Sequence, residues 1–274
     1  MLESCRLHIV FLGSGSGGNA VAVTDGTTTL LIDCGFSARE TARRMTLAGL
    51  DANSVAAILL THEHSDHLRG VEVFARRHHC SVHTTRGTRR AAGLDHIDSE
   101  VVTVHAGSDT RIGSLSIRAF RTSHDAAEPV GFRIETSADE RFALATDTGV
   151  LTQEAAEALS GVDYLGLECN HDTTMLDNGP YPSFLKRRIR SAEGHLSNAA
   201  AADALETLAS DRLRGVFALH RSNTNTTPRL AKAALTVRLD RMGLGIPVHV
   251  APQNEPLDSS PAQGALFAAD GKAT

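Results

Sequence analysis

Apolar and polar positions along the chain follow two periods, one of short continuous runs and one of helical spacing. Leu7–Leu12, Ala20–Thr24 and Thr29–Asp33 read as three strands. Ser37 and Glu40 have the spacing of a capping box and predict a helix to about Gly49. Ala56–Leu60 is an unbroken apolar run of the kind found in strands covered on both faces. Ser65 predicts the cap of a helix that continues to about His79. Four short strands follow between residues 101 and 147, in the stretches VVTV, LSIRAF, GFRIET and FALATD. A helix over Thr152–Leu159, a strand at Tyr164–Glu168 and an alanine-rich helix capped by Ser197 come next. A strand at Val216–Leu219 precedes a helix opened by Thr227-Pro228, with proline in its first turn. There is no repeat and no linker. The pattern predicts one α/β domain over residues 1–253, with a disordered tail at 254–274, where proline, serine and small residues accumulate.

Composition narrows the function classes. The 274 residues are 41% hydrophobic and 22% charged, as in an ordinary globular protein. No run approaches the roughly 18 apolar residues of a membrane span, so no membrane partner is expected. A net charge of −5 argues against charge-driven coating of nucleic acid but leaves room for a local basic patch. The N-terminal apolar run is broken by glycines and reads as a strand rather than a leader. The four cysteines (Cys5, Cys34, Cys80, Cys169) have no CxxC spacing, which predicts a cytoplasmic location. The loop Gly13–Asn19 is glycine-rich, but a strand follows it where a dinucleotide fingerprint needs a helix. A tight turn or a backbone anion contact is expected there, and no nucleotide cofactor.

The 14 histidines are the unusual feature. In Thr61-His62-Glu63-His64-Ser65-Asp66-His67 a buried strand ends and ligand-type residues follow at once. Residues i and i+2 of an extended chain point the same way, so His62 and His64 can meet on one cation. Asp66 and His67 leave the next turn in another direction, a layout suited to two metals. A polar loop of satisfied histidines would bury many polar rings at considerable cost.

This HxHxDH stretch resembles the signature of the metallo-β-lactamase superfamily. Further matches occur in order at strand ends: His124 after LSIRAF, Asp147 after FALA and His220 after Val216–Leu219, with Asp33 at the superfamily's early aspartate. The resemblance implies the αββα four-layer sandwich of that fold. It also implies His62, His64 and His124 on one divalent metal, Asp66, His67 and His220 on the other, and Asp147 shared. Asp33 would buttress the site without ligating. Histidine and carboxylate donors suit Zn²⁺ or Mn²⁺. Two such ions lower the pKa of water and clamp the oxygens of a displacement, with Asp66 and Asp147 in the catalytic centre.

Between Asp147 and His220 the series Glu168-Cys-Asn-His171-Asp172, Asn178-Gly-Pro-Tyr181-Pro, Lys186-Arg-Arg188-Ile-Arg190 and Gly194-His195-Leu-Ser-Asn is similar to the YycJ (WalJ) branch. Over residues 7–235 this implies 5′→3′ exonuclease activity on DNA. His195 precedes a capped helix and would contact substrate and donate a proton, or merely pack at the helix start. Lys186 and Arg188, in a run of four cations, would grip the phosphate backbone, or form only a solvated face. Asn223 and Asn225 would bind substrate or shape the turn after His220. His171 would orient a ligand from behind. Tyr181 is the aromatic candidate for separating strands. The alternatives are a hydrolase of a small substrate, such as a cyclic phosphodiesterase or promiscuous β-lactamase, and a binding module whose metals are structural.

Overall fold

Two seven-stranded sheets stack face to face in the computed structural model, which describes residues 6–259. The first contains β1 (His8–Gly13), β2 (Ala20–Thr24), β3 (Thr29–Ile32), β4 (Val55–Leu59), β5 (Ser81–Thr84) and β6 (Val101–Thr103) in sequential order. The second runs from β7 (Asp109–Ile112) through β8 (Leu115–Arg121), β9 (Val130–Glu135), β10 (Arg141–Ala145), β11 (Tyr164–Glu168) and β12 (Gly215–Leu219) to β13 (Val248–Val250). Each sheet is antiparallel on one side and parallel on the other. Pairing is parallel from β3 to β6 and from β10 to β13.

Phe11, Phe132, Phe142 and Phe217 fill the seam between the sheets, with the Phe11 and Phe217 rings 4.6 Å apart. Helices α1 (Ala38–Leu47), α2 (Ser65–Leu68), α3 (Val71–His78) and α4 (Arg86–Ala91) follow the strands of the first sheet, and Met45 and Phe74 pack into its outer core. The second sheet is backed by α5 (Gln153–Leu159), α8 (Asn198–Leu208) and α9 (Pro228–Arg241), through Leu159, Leu205 and Leu235. Between β11 and α8 lie α6 (Thr173–Asn178) and α7 (Ser183–Arg190). The layers are therefore αββα, and the central parallel strands β4 and β12, covered on both sides, carry apolar residues at nearly every position.

Local signals hold at most helix starts. Ser37, Thr152, Ser197 and Thr227 each accept a hydrogen bond from the backbone N–H three residues on. The helix expected over 65–79 is instead two, with His64 rather than Ser65 at the N-cap position. The break is at Gly70, whose N–H donates to the Cys34 carbonyl at 2.7 Å and where a Cβ would lie 2.2 Å from the Phe36 carbonyl oxygen. The loop after β3 presses so closely there that only glycine fits. Strand β5 and helix α4 carried no expectation. The Gly13–Asn19 loop turns β1 into β2, closed by the Gly18 N–H on the Gly15 carbonyl.

The tail expected from residue 254 is corrected in part. Leu257–Asp258 forms a fourteenth strand, β14, antiparallel to β1, because the open edge of β1 offers unpaired backbone groups that extended chain satisfies. Residues 260–274 lie outside the described residues. Cys34, Cys80 and Cys169 are free and buried, Cys34 and Cys80 in one outer core and Cys169 in the other. No helix among the described residues is long and apolar enough to cross a membrane.

Candidate metal centre

The C-terminal ends of five parallel strands meet along one edge of the sandwich, where such sheets place their binding sites. Asp33 follows β3, His62 to His67 follow β4, Asp147 follows β10, Glu168 ends β11 and His220 follows β12. His124 arrives from the loop after β8. Asp33, Asp147 and His220 have φ of 59°, 53° and 47°, a left-handed backbone that costs free energy outside glycine and collects at functional sites. The turn at each strand end swings the side chain across the edge instead of into a sheet face.

Four ligand-type sets arise, with the donor atoms of each within 4.8 Å of one another: His62, His64 and His124; Asp66, His67 and His220; His62, His67 and Asp147; and Asp147, Glu168, His195 and His220. All seven residues singled out from the sequence are thus together, with Asp147 between the two histidine groups. His64 Nδ1 and His124 Nε2 are 3.2 Å apart. The His67 Nε2 lies 3.2 Å from Asp147 Oδ2, and His220 Nε2 3.4 Å from Asp66 Oδ2.

Four of the five rings are held from behind, His62 by the Thr61 hydroxyl at 3.0 Å from its Nδ1. His67 Nδ1 donates to Asp33 Oδ2 at 2.7 Å, and Asp33 Oδ1 accepts the Thr61 N–H at 2.8 Å. His124 Nδ1 donates to the Gly194 carbonyl at 3.0 Å. The Ser14 hydroxyl, from the glycine-rich loop, accepts the His220 N–H at 2.8 Å. Glu168, fully buried, was legible only as part of a motif and had no assigned role. It accepts from His195 Nδ1 at 2.8 Å, His220 Nδ1 at 2.9 Å and the N–H groups of Thr148 and Leu196. Its signal was its position, a carboxylate ending the strand between those of Asp147 and His220. The orienting function expected of His171 falls to Glu168 instead. The His171 ring makes no hydrogen bond to a ligand-type side chain and its Nδ1 is unpaired, while its backbone pairs with the Ser197 segment.

The electrostatics favour cations. Burial, reinforced by the neighbouring His67, pushes His62 well below the ordinary imidazole value, which keeps it neutral and its Nε2 available. That atom is buried with no hydrogen-bond partner. Burial also lowers His124. His67 goes the other way: burial would lower it, but Asp147 and Asp33 prevail and raise it to about 10. His220 is likewise raised against its burial, by Asp147 first. Asp147 is pulled below the usual carboxylate range, the charges of His220 and His67 outweighing its own desolvation. Buried carboxylates that draw protons onto neighbouring imidazoles will draw metal ions onto the same nitrogens. The nitrogen and oxygen donors therefore fit divalent cations.

The centre opens into a cleft whose far wall is α7. Arg188, Leu185 and Ile189 face it with Tyr181 and His195, and Arg188 Nε donates to Asp125 Oδ2 at 2.5 Å. Positions 185, 188 and 189 share one helical face, so the expected role of Lys186 is corrected: its Nζ turns away to the Asp177 carbonyl at 2.7 Å. Asn223 is corrected too. It accepts from Arg221 outside the cleft, whereas Asn225 lines the wall with its amide buried and unpaired. His195 is tied to α7 by its N–H on the Ile189 carbonyl at 2.8 Å. Its ring is raised above the ordinary value because Glu168 outweighs its burial.

Residues 28–216 match the beta-lactamase superfamily domain. The chain is 34% identical over 245 residues to Exodeoxyribonuclease YycJ of Bacillus anthracis, covering 88% of this chain and 92% of that protein. It is 33% identical to Exodeoxyribonuclease WalJ of Streptococcus pneumoniae, covering 86% and 90%. The metallo-beta-lactamase fold protein YhfI from Bacillus subtilis superposes with a TM-score of 0.71 at 14% identity, over 92% of this chain and 99% of that one, and bears out the fold alone.

Proposed function

We infer that the chain, which belongs to the beta-lactamase superfamily, is a metal-dependent phosphodiesterase that removes nucleotides from DNA ends, in the 5′→3′ direction. The observation that carries this reading is the convergence of the seven ligand-type residues on a cleft with Arg188 in its opposite wall. Similarity over most of the length to two exodeoxyribonucleases supports the choice of substrate.

On this reading His62, His64 and His124 hold one divalent cation, Zn²⁺ or Mn²⁺, and Asp66, His67 and His220 hold a second, with Asp147 shared. Bound there, such ions supply Lewis-acid activation of water and neutralise charge at the phosphoryl group. Arg188, steadied by Asp125, offers its guanidinium to a phosphate across the cleft. His195 keeps its proton on Nδ1 against Glu168 and, with its raised pKa, can donate from Nε2 to a leaving oxygen. The Glu168 bond fixes the ring for that transfer. Asp33 and Glu168 hold His67 and His220 in the orientation that ligation requires.

The test is degradation of linear double-stranded DNA labelled at the 5′ or the 3′ end, with added Mn²⁺ or Zn²⁺, by the native chain and by Asp147→Ala. Loss of the shared carboxylate should abolish stepwise release. Undiminished cleavage by the variant overturns the reading. Turnover of only bis-p-nitrophenyl phosphate or a chromogenic β-lactam favours a small-substrate hydrolase.

A further inference from the structure

Five large apolar side chains among the described residues are exposed, and Phe184 is the only aromatic one. It is 66% exposed in the first turn of α7. A bare phenyl ring gains nothing from water, and no structural task of the helix requires it, since Ile189 and Leu185 make the inward contacts. Its neighbours explain the position better. At i+3 and i+4, on the same side of the helix, lie Arg187 and Arg188. Tyr181, three residues before it, lies in the cleft wall. Lys186 is engaged with the Asp177 carbonyl, Arg190 with the Asp177 carboxylate and Arg188 with Asp125, whereas Arg187 forms no ion pair among the described residues. The rim of the cleft therefore presents an exposed aromatic face beside an uncommitted guanidinium, in a chain that is acidic overall. An aromatic platform flanked by cations is the arrangement that holds unpaired or terminal bases, the ring taking the base and the cations the phosphates.

We propose that Phe184 stacks on the terminal nucleobase of the DNA strand whose end phosphodiester occupies the cleft, and so makes this site select strand ends. The inference rests on the nuclease reading above and adds what recognises the end. A platform outside the centre stops the duplex from sliding further, leaving the end linkage over the metal ligands and beside Arg188.

The test compares two duplexes that carry cleavage-resistant phosphorothioate linkages, one with a normal 5′-terminal nucleotide and one whose terminal nucleotide is abasic. Affinities for the metal-replete native chain, Phe184→Ala and Phe184→Trp are measured by fluorescence anisotropy. Stacking on one base is worth roughly five- to 150-fold in affinity. The native chain should therefore favour the base-bearing end by about fivefold or more, Phe184→Ala should abolish that preference, and Phe184→Trp should preserve it. Equal affinity of the native chain for the two duplexes overturns the proposal, as does a preference that survives in Phe184→Ala. If the native chain also degrades unmodified duplex in either case, the nuclease reading stands and stacking alone fails. If it neither binds nor degrades either DNA, both fall together.

Discussion

Replacing Glu168 with glutamine keeps the size of the side chain and removes half of its capacity to accept. Four donors converge on the carboxylate: His195 Nδ1 and His220 Nδ1 on Oε1, and the N–H groups of Thr148 and Leu196 on Oε2 at 2.9 and 3.1 Å. An amide offers one oxygen and one NH₂, so whichever way it is turned, two donors meet a donor. Two hydrogen bonds to a charged acceptor, at about 1.5–3 kcal/mol each, put the cost of Glu168→Gln at about 3–6 kcal/mol before relaxation. That is a large part of the roughly 5–15 kcal/mol by which domains are stable. If the NH₂ faces the imidazoles, His220 can accept at Nδ1 only by moving its proton to Nε2, the nitrogen that approaches Asp66. Metal affinity should then fall by about 10- to 100-fold, as for loss of other groups that orient a ligand. Urea unfolding of chelator-treated protein at pH 7 measures the first quantity, and competition with a fluorescent chelator measures the second. A loss of stability under about 1 kcal/mol, the size of an ordinary substitution, together with unchanged chelator competition would refute the assignment of Glu168 as the group that positions His195 and His220.

Two more outcomes are expected. At Gly35 a Cβ would lie 1.6 Å from the Asp66 carbonyl oxygen and 2.6 Å from the Asn19 nitrogen, so Gly35→Ala must displace the ligand-bearing segment. It should cost about 3 kcal/mol or more in urea unfolding and weaken metal retention together, and a variant normal in both measurements contradicts that packing. The Glu40 carboxyl is held down to about 2 by its bonds to Arg43 first, with Arg44 helping to outweigh the opposing effect of burial. A carboxyl lowered in the folded state contributes stability above its unfolded value of 4.5 and loses it as pH falls towards 2. Because Glu40 is a third exposed, the contribution is about 0.2–1 kcal/mol. Glu40→Gln should flatten the fall in urea midpoint between pH 4.5 and 2; curves that stay parallel to those of the native chain dispose of the idea.

What the residues determined alone is whatever depends on short stretches of chain. Capping by Ser37, Thr152, Ser197 and Thr227 is a matter of three residues, and it is present at all four helices. The spacing from His62 to His67 sets the directions of those side chains within one strand end and one turn, and their resemblance to a known family led to His124, Asp147 and His220 at later strand ends. Tertiary structure decided what depends on register across sheets and on helix phase. Glu168 reaches both His195 and His220 because β11 lies between β10 and β12, an order that no local pattern encodes. Lys186 and Asn223 look like their neighbours in the sequence, but a helical rotation of about 100° per residue turns Arg188 into the cleft and Lys186 away from it, and the turn after β12 exchanges Asn223 for Asn225. The break at Gly70 and the strand at Leu257–Asp258 arise in the same way, from segments distant in the chain that press together or leave an edge open. A single chain carries the ligands' identities and their local spacing, but contact between side chains tens to hundreds of residues apart exists only once the sheets have stacked.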